Sequence, residues 1–394
     1  MTIQKFHPFR SKRNTCFLVI IMILLVISCF NTYNPLSNFN NLSMIHQEKY
    51  LTYLPHSGFH NQRIALENAI FLAWFLNRTL IIPPLLMYKG RALIPMYEFN
   101  KLYKGLSKIR VCENSGQEDC KAEPYIGYKW EELMDFTFLN QNIKYIYRQD
   151  FNYTNLIESL HIKNDNEVHN ITYNREQYCD NSLSTKNVFD CVNLADLSKR
   201  PEKLLHFGSL FSSLKIITTL PKNTNFRNKL RQMLLPNNPT ILSIVNNIVD
   251  KIGGTDNFIG VHARLGDGHF SRHQDMTVQN LVEKIQNDFK DIDDYNAYLP
   301  TKIFLATDKK NSKSLQLFFQ TFPYVYVLDD FDDLLKPLKS LKNPIDGKIM
   351  YEFLVPFVDL LVVSRGNKFY RTRSSTFSRY AQHLNRIWLE NELE

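Results

Sequence analysis

From Phe258 onward the chain alternates short apolar runs with longer amphipathic ones, and that period decides its fold class. FIGVHA, KIFLAT, YVYVL and NKFY have the length and the β-branched or aromatic content of buried strands. Between and after them, TVQNLVEKIQNDF, NSKSLQLFFQTF, MYEFLVPFVDLLVVSR and STFSRYAQHLNRIWLENE have the length and apolar spacing of helices. Strands that alternate with helices must lie parallel, because each helix carries the chain back across the face of the sheet. The same signal begins at Tyr50: YLTYL reads as a strand, residues 61–76 as a helix, and TLIIP as a strand stopped by Pro83 and Pro84. Residues 85–200 are aromatic and broken by Gly and Pro, and read as the irregular remainder of that first unit. A helical run, TILSIVNNIVDKI, then leads through Gly253-Gly254 into the second. The expectation is α/β, with two Rossmann-like domains, 49–240 and 241–394, facing across a cleft.

CFLVIIMILLVISCF, residues 16–30, carries no charge, and with its flanks the segment 14–33 has the roughly 20 residues that cross a bilayer as a helix. Lys5, Arg10, Lys12 and Arg13 lie before it, so the positive-inside rule keeps residues 1–13 in the cytosol and sends the rest to the far side. A cleaved signal peptide is the alternative, and it leads to the same compartment. Those four basic residues account for half of the formal charge of +8, leaving +4 on the other 381 positions. Such a surface suits a small anionic ligand, and no basic run interleaved with aromatics points to nucleic acid. Residues 34–48, rich in Asn, Ser and Pro, read as a stem.

Beyond the membrane segment stand four cysteines, an even set suited to an oxidising lumen. Three pairings are open, and the short loops favour Cys112 with Cys120 and Cys179 with Cys191. Sequons at Asn41, Asn77, Asn152 and Asn170 fit a lumenal chain. The cysteine spacings do not suit zinc. Asp291-Ile292-Asp293 and Asp330-Phe331-Asp332 offer metal-chelating pairs on paper, yet both sit in acidic turns without further ligands, and no metal is expected.

In open parallel sheets ligands bind beyond the carboxyl ends of the strands. Three groups fall there: His262 and Arg264 after FIGV, Asp308 after KIFLAT, and Ser374-Ser375-Thr376 where a short strand enters the last helix. Hydroxyls and free N–H groups at a helix start bind anions, and a guanidinium opposite adds paired donors for phosphate. Singly, each has a plain reading, an ion pair of Arg264 with Asp267 or an ordinary helix cap. Together they describe a diphosphate pocket. The facing wall is SGFHNQR, residues 57–63, where Gly58 admits a ligand to the backbone, and His60 and Asn61 open the helix. Asn61 reads equally well as a simple cap.

The stretches GFHNQRIALENAIFLAWFLNRTLIIPP, GVHARLGD, ATD and VDLLVVSRGNKFYRTRSSTFSRY, in this order, resemble the GDP-fucose protein O-fucosyltransferase family. The likeness covers about residues 50–90, 258–270 and 300–385. It implies a GT-B fold, GDP-fucose as donor, no other cofactor, and a secreted or membrane protein as acceptor in the ER or Golgi. It also implies that Arg264 grips the β-phosphate beside His262. Ser375, Thr376 and Phe377 would surround the phosphates and base, and Asp359 would meet the guanine edge with Asp308 nearby. Gly58, Phe59 and Asn61 would line the donor and acceptor side. Some members carry a Glu just before Gly-Phe as a general base, and here that place is Ser57, which cannot itself act as one, leaving His60, the acceptor's own surroundings or no base at all. The expected catalytic group is then Arg264, neutralising the leaving diphosphate, with Asn61 and with His60 as an assistant. A relative acting on a glycan, one using another GDP-sugar, and an inactive binding protein of the same fold are the alternatives.

Overall fold

The computed structural model describes residues 48–88, 125–148, 150–172, 177–180, 191–211, 214–290, 302–344 and 347–391. The tail, the expected membrane segment 14–33, Asn41 and the Cys112–Cys120 pair lie outside them. Among the described residues no helix is long and apolar enough to cross a membrane.

The first sheet is built from β1 (Tyr50–Tyr53), β2 (Thr79–Ile82), β3 (Tyr145–Tyr147), β4 (Val168–Ile171) and β5 (Leu204–Phe207), in the order β3-β2-β1-β5-β4. All its pairings are parallel. The second sheet has β6 (Phe258–Ala263), β7 (Lys302–Thr307), β8 (Tyr324–Tyr326) and β9 (Lys368–Arg371), in the order β8-β7-β6-β9, again all parallel. The α/β expectation therefore holds for both sheets. The stretch 85–200, expected to be irregular, instead supplies β3 and β4, and β5 follows it. Each is only three or four residues long, too short for a period to register.

Among the described residues six longer helices carry the packing: α1 (Phe59–Leu76), α2 (Pro221–Met233), α3 (Pro239–Ile252), α4 (Gln274–Lys290), α5 (Tyr351–Val363) and α6 (Thr376–Asn391). Glu48–Glu394 forms one compact unit, and one apolar core runs through both sheets. Alternation along β6 shows how. Phe258 faces this shared core, while Ile259, Val261 and Ala263 face a second cluster under α4 with Val278, Leu281 and Ile285. A strand buried on both faces reads as a continuous apolar run, which is why FIGVHA was legible.

The inward face of β6 is Phe258, Gly260, His262. At Gly260 an added Cβ would lie 1.9 Å from the Val363 carbonyl oxygen, so only glycine lets the end of α5 come this close. His262, two residues on, is thereby aimed along the same face at the start of α6.

Cys179 and Cys191 are bonded, as the short spacing suggested. Beside them Asp180 accepts the backbone N–H groups of Thr219 and Leu220, at 2.9 and 3.0 Å, and so fixes the entry to α2. Of the sequons, Asn77, Asn152 and Asn170 are all exposed. Asn77 ends α1 in the left-handed conformation, and Asn152 caps a short helix through its side-chain oxygen, which leaves its amide nitrogen outside that bond.

Candidate active site

His262 is buried, and its Nδ1 faces the Ser378 hydroxyl at 2.6 Å while its ring stacks on Phe377 at 4.2 Å. Ser378 Oγ also accepts the Thr372 N–H at 3.2 Å. Its own proton is therefore directed to Nδ1, which leaves the ring proton on Nε2. Burial, and then the Arg264 charge, push His262 down to about 3, so it stays neutral and serves as a hydrogen-bonding plate under Phe377.

Arg264 follows at the end of β6. Its N–H donates to Thr372 Oγ1 at 3.1 Å, and that hydroxyl donates to the His262 carbonyl at 2.7 Å. Nη2 meets Asp267 at 2.7 Å and Nε meets Asp308 at 3.1 Å. Among the described residues no partner holds Nη1, and the side chain is 30% exposed. A guanidinium oriented by two carboxylates along one edge presents its remaining donors without the entropy of a free chain.

Asp308 is placed at the end of β7, as expected, but its carboxylate is engaged inside the protein. It accepts the N–H groups of Leu265 and Gly266, at 2.7 and 3.0 Å, besides Arg264. Gly266 is required here, since a Cβ would lie 2.4 Å from Asp308 Oδ2. Asp308 thus shapes the turn after β6, and Asp267 steadies the arginine.

The start of α6 is tied to the end of β6 through Thr372, which accepts the Arg264 N–H, and Ser378, which meets His262. Ser374 has φ 63°, and Ser375, buried, accepts the Ser378 N–H at 3.3 Å. Thr376 and Phe377 are half-buried. This is the hydroxyl-bearing helix start anticipated from SST.

The facing wall is the turn between β1 and α1. Gly58 precedes the helix in an ordinary extended conformation, φ −72°, and the left-handed residue is its neighbour Ser57, φ 64°. Asn61 lies inside the first turn and does not cap it, its N–H donating to the Gly58 carbonyl at 3.0 Å. Phe59 packs on Phe357 and Trp130, with ring centres 5.2 and 5.9 Å away. His60 meets Phe377 edge-on at 5.1 Å, so the two halves touch through expected site residues. Burial first, then Arg63, His262 and Arg264, hold His60 well below the ordinary imidazole range. His60 Nδ1 and Asn61 Oδ1 are buried polar atoms without a hydrogen bond among the described residues.

Asp359 sits on α5, half-buried, and burial pushes its carboxyl up to about 8 against the pull of Lys310. Among the described residues no three His, Cys, Asp or Glu side chains gather as a metal site. Asp330 accepts the Val327 N–H at 2.8 Å, and Asp291-Ile292-Asp293 lies outside the described residues.

Several residues of the site carry no sequence signal. Arg63 pairs with Glu67 on the buried side of α1 and lies 3.8 Å over the Tyr380 ring of α6. Thr372 and Ser378 clamp β6, and His56 and Ser209 stand behind the first loop. Only the i,i+4 spacing of Arg63 and Glu67 hints at such a contact.

The sequence profile of the GDP-fucose protein O-fucosyltransferase family matches residues 50–387. The chain belongs to that family. O-fucosyltransferase 30 of Arabidopsis thaliana is 42% identical over 79 residues, which are 20% of this chain and 15% of that protein. Among solved structures, POFUT1 in complex with GDP is 13% identical, with 87% of this chain and 96% of that one covered and a TM-score of 0.44. Fucosyltransferase NodZ from Bradyrhizobium is 14% identical, with 85% and 93% covered and a TM-score of 0.41. These structural likenesses are distant, and membership rests on the profile that spans both sheets of this O-fucosyltransferase-family chain.

Proposed function

We propose that the protein transfers fucose from GDP-fucose to a Ser or Thr hydroxyl of a secretory-pathway protein, with inversion at the sugar carbon and without a metal. The observation that carries this reading is Arg264, held along one edge by Asp267 and Asp308 at the end of β6 and set against the hydroxyl-bearing start of α6. As the sugar–oxygen bond breaks, negative charge grows on the β-phosphate. Arg264 and the α6 N-terminus neutralise it, in the place a divalent ion takes in other transferases. His262 and Phe377 carry the nucleotide side, and Gly58, Phe59, His60 and Asn61 the side of the sugar and the acceptor. The body works in the lumen of the ER or Golgi, tethered as a type II protein by residues 14–33, in the two-domain GT-B manner.

The test is incubation of residues 48–394 with GDP-fucose and a panel of folded secreted domains, followed by intact mass. Added deoxyhexose on a Ser or Thr is the expected result. Addition only to glycans, or only from another GDP-sugar, would replace the acceptor or donor named here, and GDP binding without any transfer would make the protein a binding module.

Asp359 supplies a pH prediction. If its carboxylate accepts the guanine N–H edge, GDP binds the deprotonated form and drives off the proton held up to about 8. Affinity then rises with pH, up to about tenfold per unit below that value, and levels above it. Calorimetry on Asp359→Asn should give a flat profile. An unchanged slope in that variant would remove Asp359 from the base pocket.

A further inference from the structure

The loop assigned above to the acceptor side ends a buried chain of hydrogen bonds outside the groups named there. His56 is 2% exposed, with Nε2 at 2.6 Å from Ser209 Oγ and Nδ1 at 2.9 Å from Ser57 Oγ. Ser209 Oγ in turn donates to the Phe211 carbonyl at 2.9 Å and accepts the Phe211 N–H at 3.2 Å. With the Ser209 proton committed to that carbonyl, the hydroxyl meets His56 as an acceptor. Nε2 therefore carries the ring proton, and Nδ1 turns a lone pair to Ser57. Burial pushes His56 down to about 4, so the ring is neutral near pH 7.

Ser57 is the half-buried, left-handed residue three positions before His60, which touches Phe377 across the seam. A serine in that backbone state is strained where the glycine beside it would not be. Strained residues of this kind cluster at functional sites.

We propose that Ser57 and His56 form a proton relay for the acceptor hydroxyl, Ser57 touching the acceptor and His56 receiving the proton. The inference rests on the fucosyltransferase reading above. In the step, the bond from the sugar carbon to the β-phosphate oxygen breaks, and GDP leaves with the electron pair. The acceptor oxygen bonds to the same carbon. Its proton passes to Ser57 Oγ as the Ser57 proton passes to His56 Nδ1, and the imidazolium, still bonded to Ser209, later returns the proton to solvent. A weak base suffices, because an alcohol oxygen already bonding to an electron-poor carbon is far more acidic than the free alcohol.

Two variants separate relay from scaffold. Ser57→Gly relieves the left-handed strain, so its melting temperature should hold or rise, while its transfer kcat should fall about 100-fold. His56→Asn keeps an acceptor near the Nδ1 position but takes no proton, and should fall similarly with GDP affinity and acceptor KM within about twofold. Because the two act in series, the double variant should be no slower than the worse single one. Transfer by Ser57→Gly within threefold of wild type, or losses that multiply in the double variant, would overturn the relay. A wild-type chain that fucosylates nothing on the panel fails earlier, at the transferase reading, and leaves no step for His56 to serve.

Discussion

Arg264→Ala is expected to lower GDP-fucose turnover about 100-fold, the usual cost of removing a preorganised donor from a developing charge. The side chain makes no contact that the core depends on: it is 30% exposed and its partners, Asp267 and Asp308, are partly exposed carboxylates. The loss should therefore appear in kcat with little change in melting temperature, which distinguishes it from unfolding. Removing the guanidinium also leaves the two carboxylates facing the diphosphate site, so GDP affinity should weaken as well. Turnover is read as GDP released in the presence of acceptor. A variant within a factor of two of wild type would sink the diphosphate role.

Gly260→Ala should be the most damaging small substitution in the fold. Its Cβ would lie 1.9 Å from the Val363 carbonyl, and neither side can retreat. β6 is paired on both edges, with β7 and with β9, and Gly366 in the turn after α5 has its own closest approach to Gly260 N, where an added Cβ would sit at 2.6 Å. Overpacking of this kind costs about 3 kcal/mol and occasionally more. Urea unfolding should show a midpoint lowered by that free energy divided by the slope, with the slope unchanged. A midpoint equal to that of the wild type would mean that α5 is free to move away, and the account of why glycine stands in FIGVH would be wrong.

The second sheet was readable because β6 and β7 are buried along nearly their whole length and α4, α5 and α6 exceed ten residues, so two different periods alternate, whereas β8 and the six-residue helix Gln316–Thr321 before it are shorter and more exposed than their sequence suggested. β5 was not readable. LLHF is fully buried between β1 and β4, yet it is four residues long, contains a histidine and follows SKRPEK, which looks like surface. For the site, HARLGD and RSSTF located His262, Arg264 and the start of α6, because strand ends and helix starts are local features. What holds them is not local: His262 reaches Ser378 across 116 positions, and Arg264 reaches Thr372 across 108. Asp308 shows the limit from the other side. Its place at a strand end was legible, while its engagement with the Leu265 and Gly266 N–H groups depends on the turn opposite. The left-handed residue of the first loop was likewise hidden, since glycine-based reasoning points to Gly58 and the backbone places Ser57 there.

The last helix, α6, begins at the hydroxyl cluster and, one turn further on, lays Tyr380 under Arg63 of α1, while His383 bonds the Arg231 carbonyl at 2.9 Å. It is anchored to β9 at its start and leans on the first sheet's helices along its length. The helix thus ties β9 to the first sheet's helices, and the start proposed above to hold the donor's phosphates belongs to that same tie. A ligand bound at that start would be felt first through Phe377 at His60, inside the acceptor loop, and one turn further on through Tyr380 at Arg63.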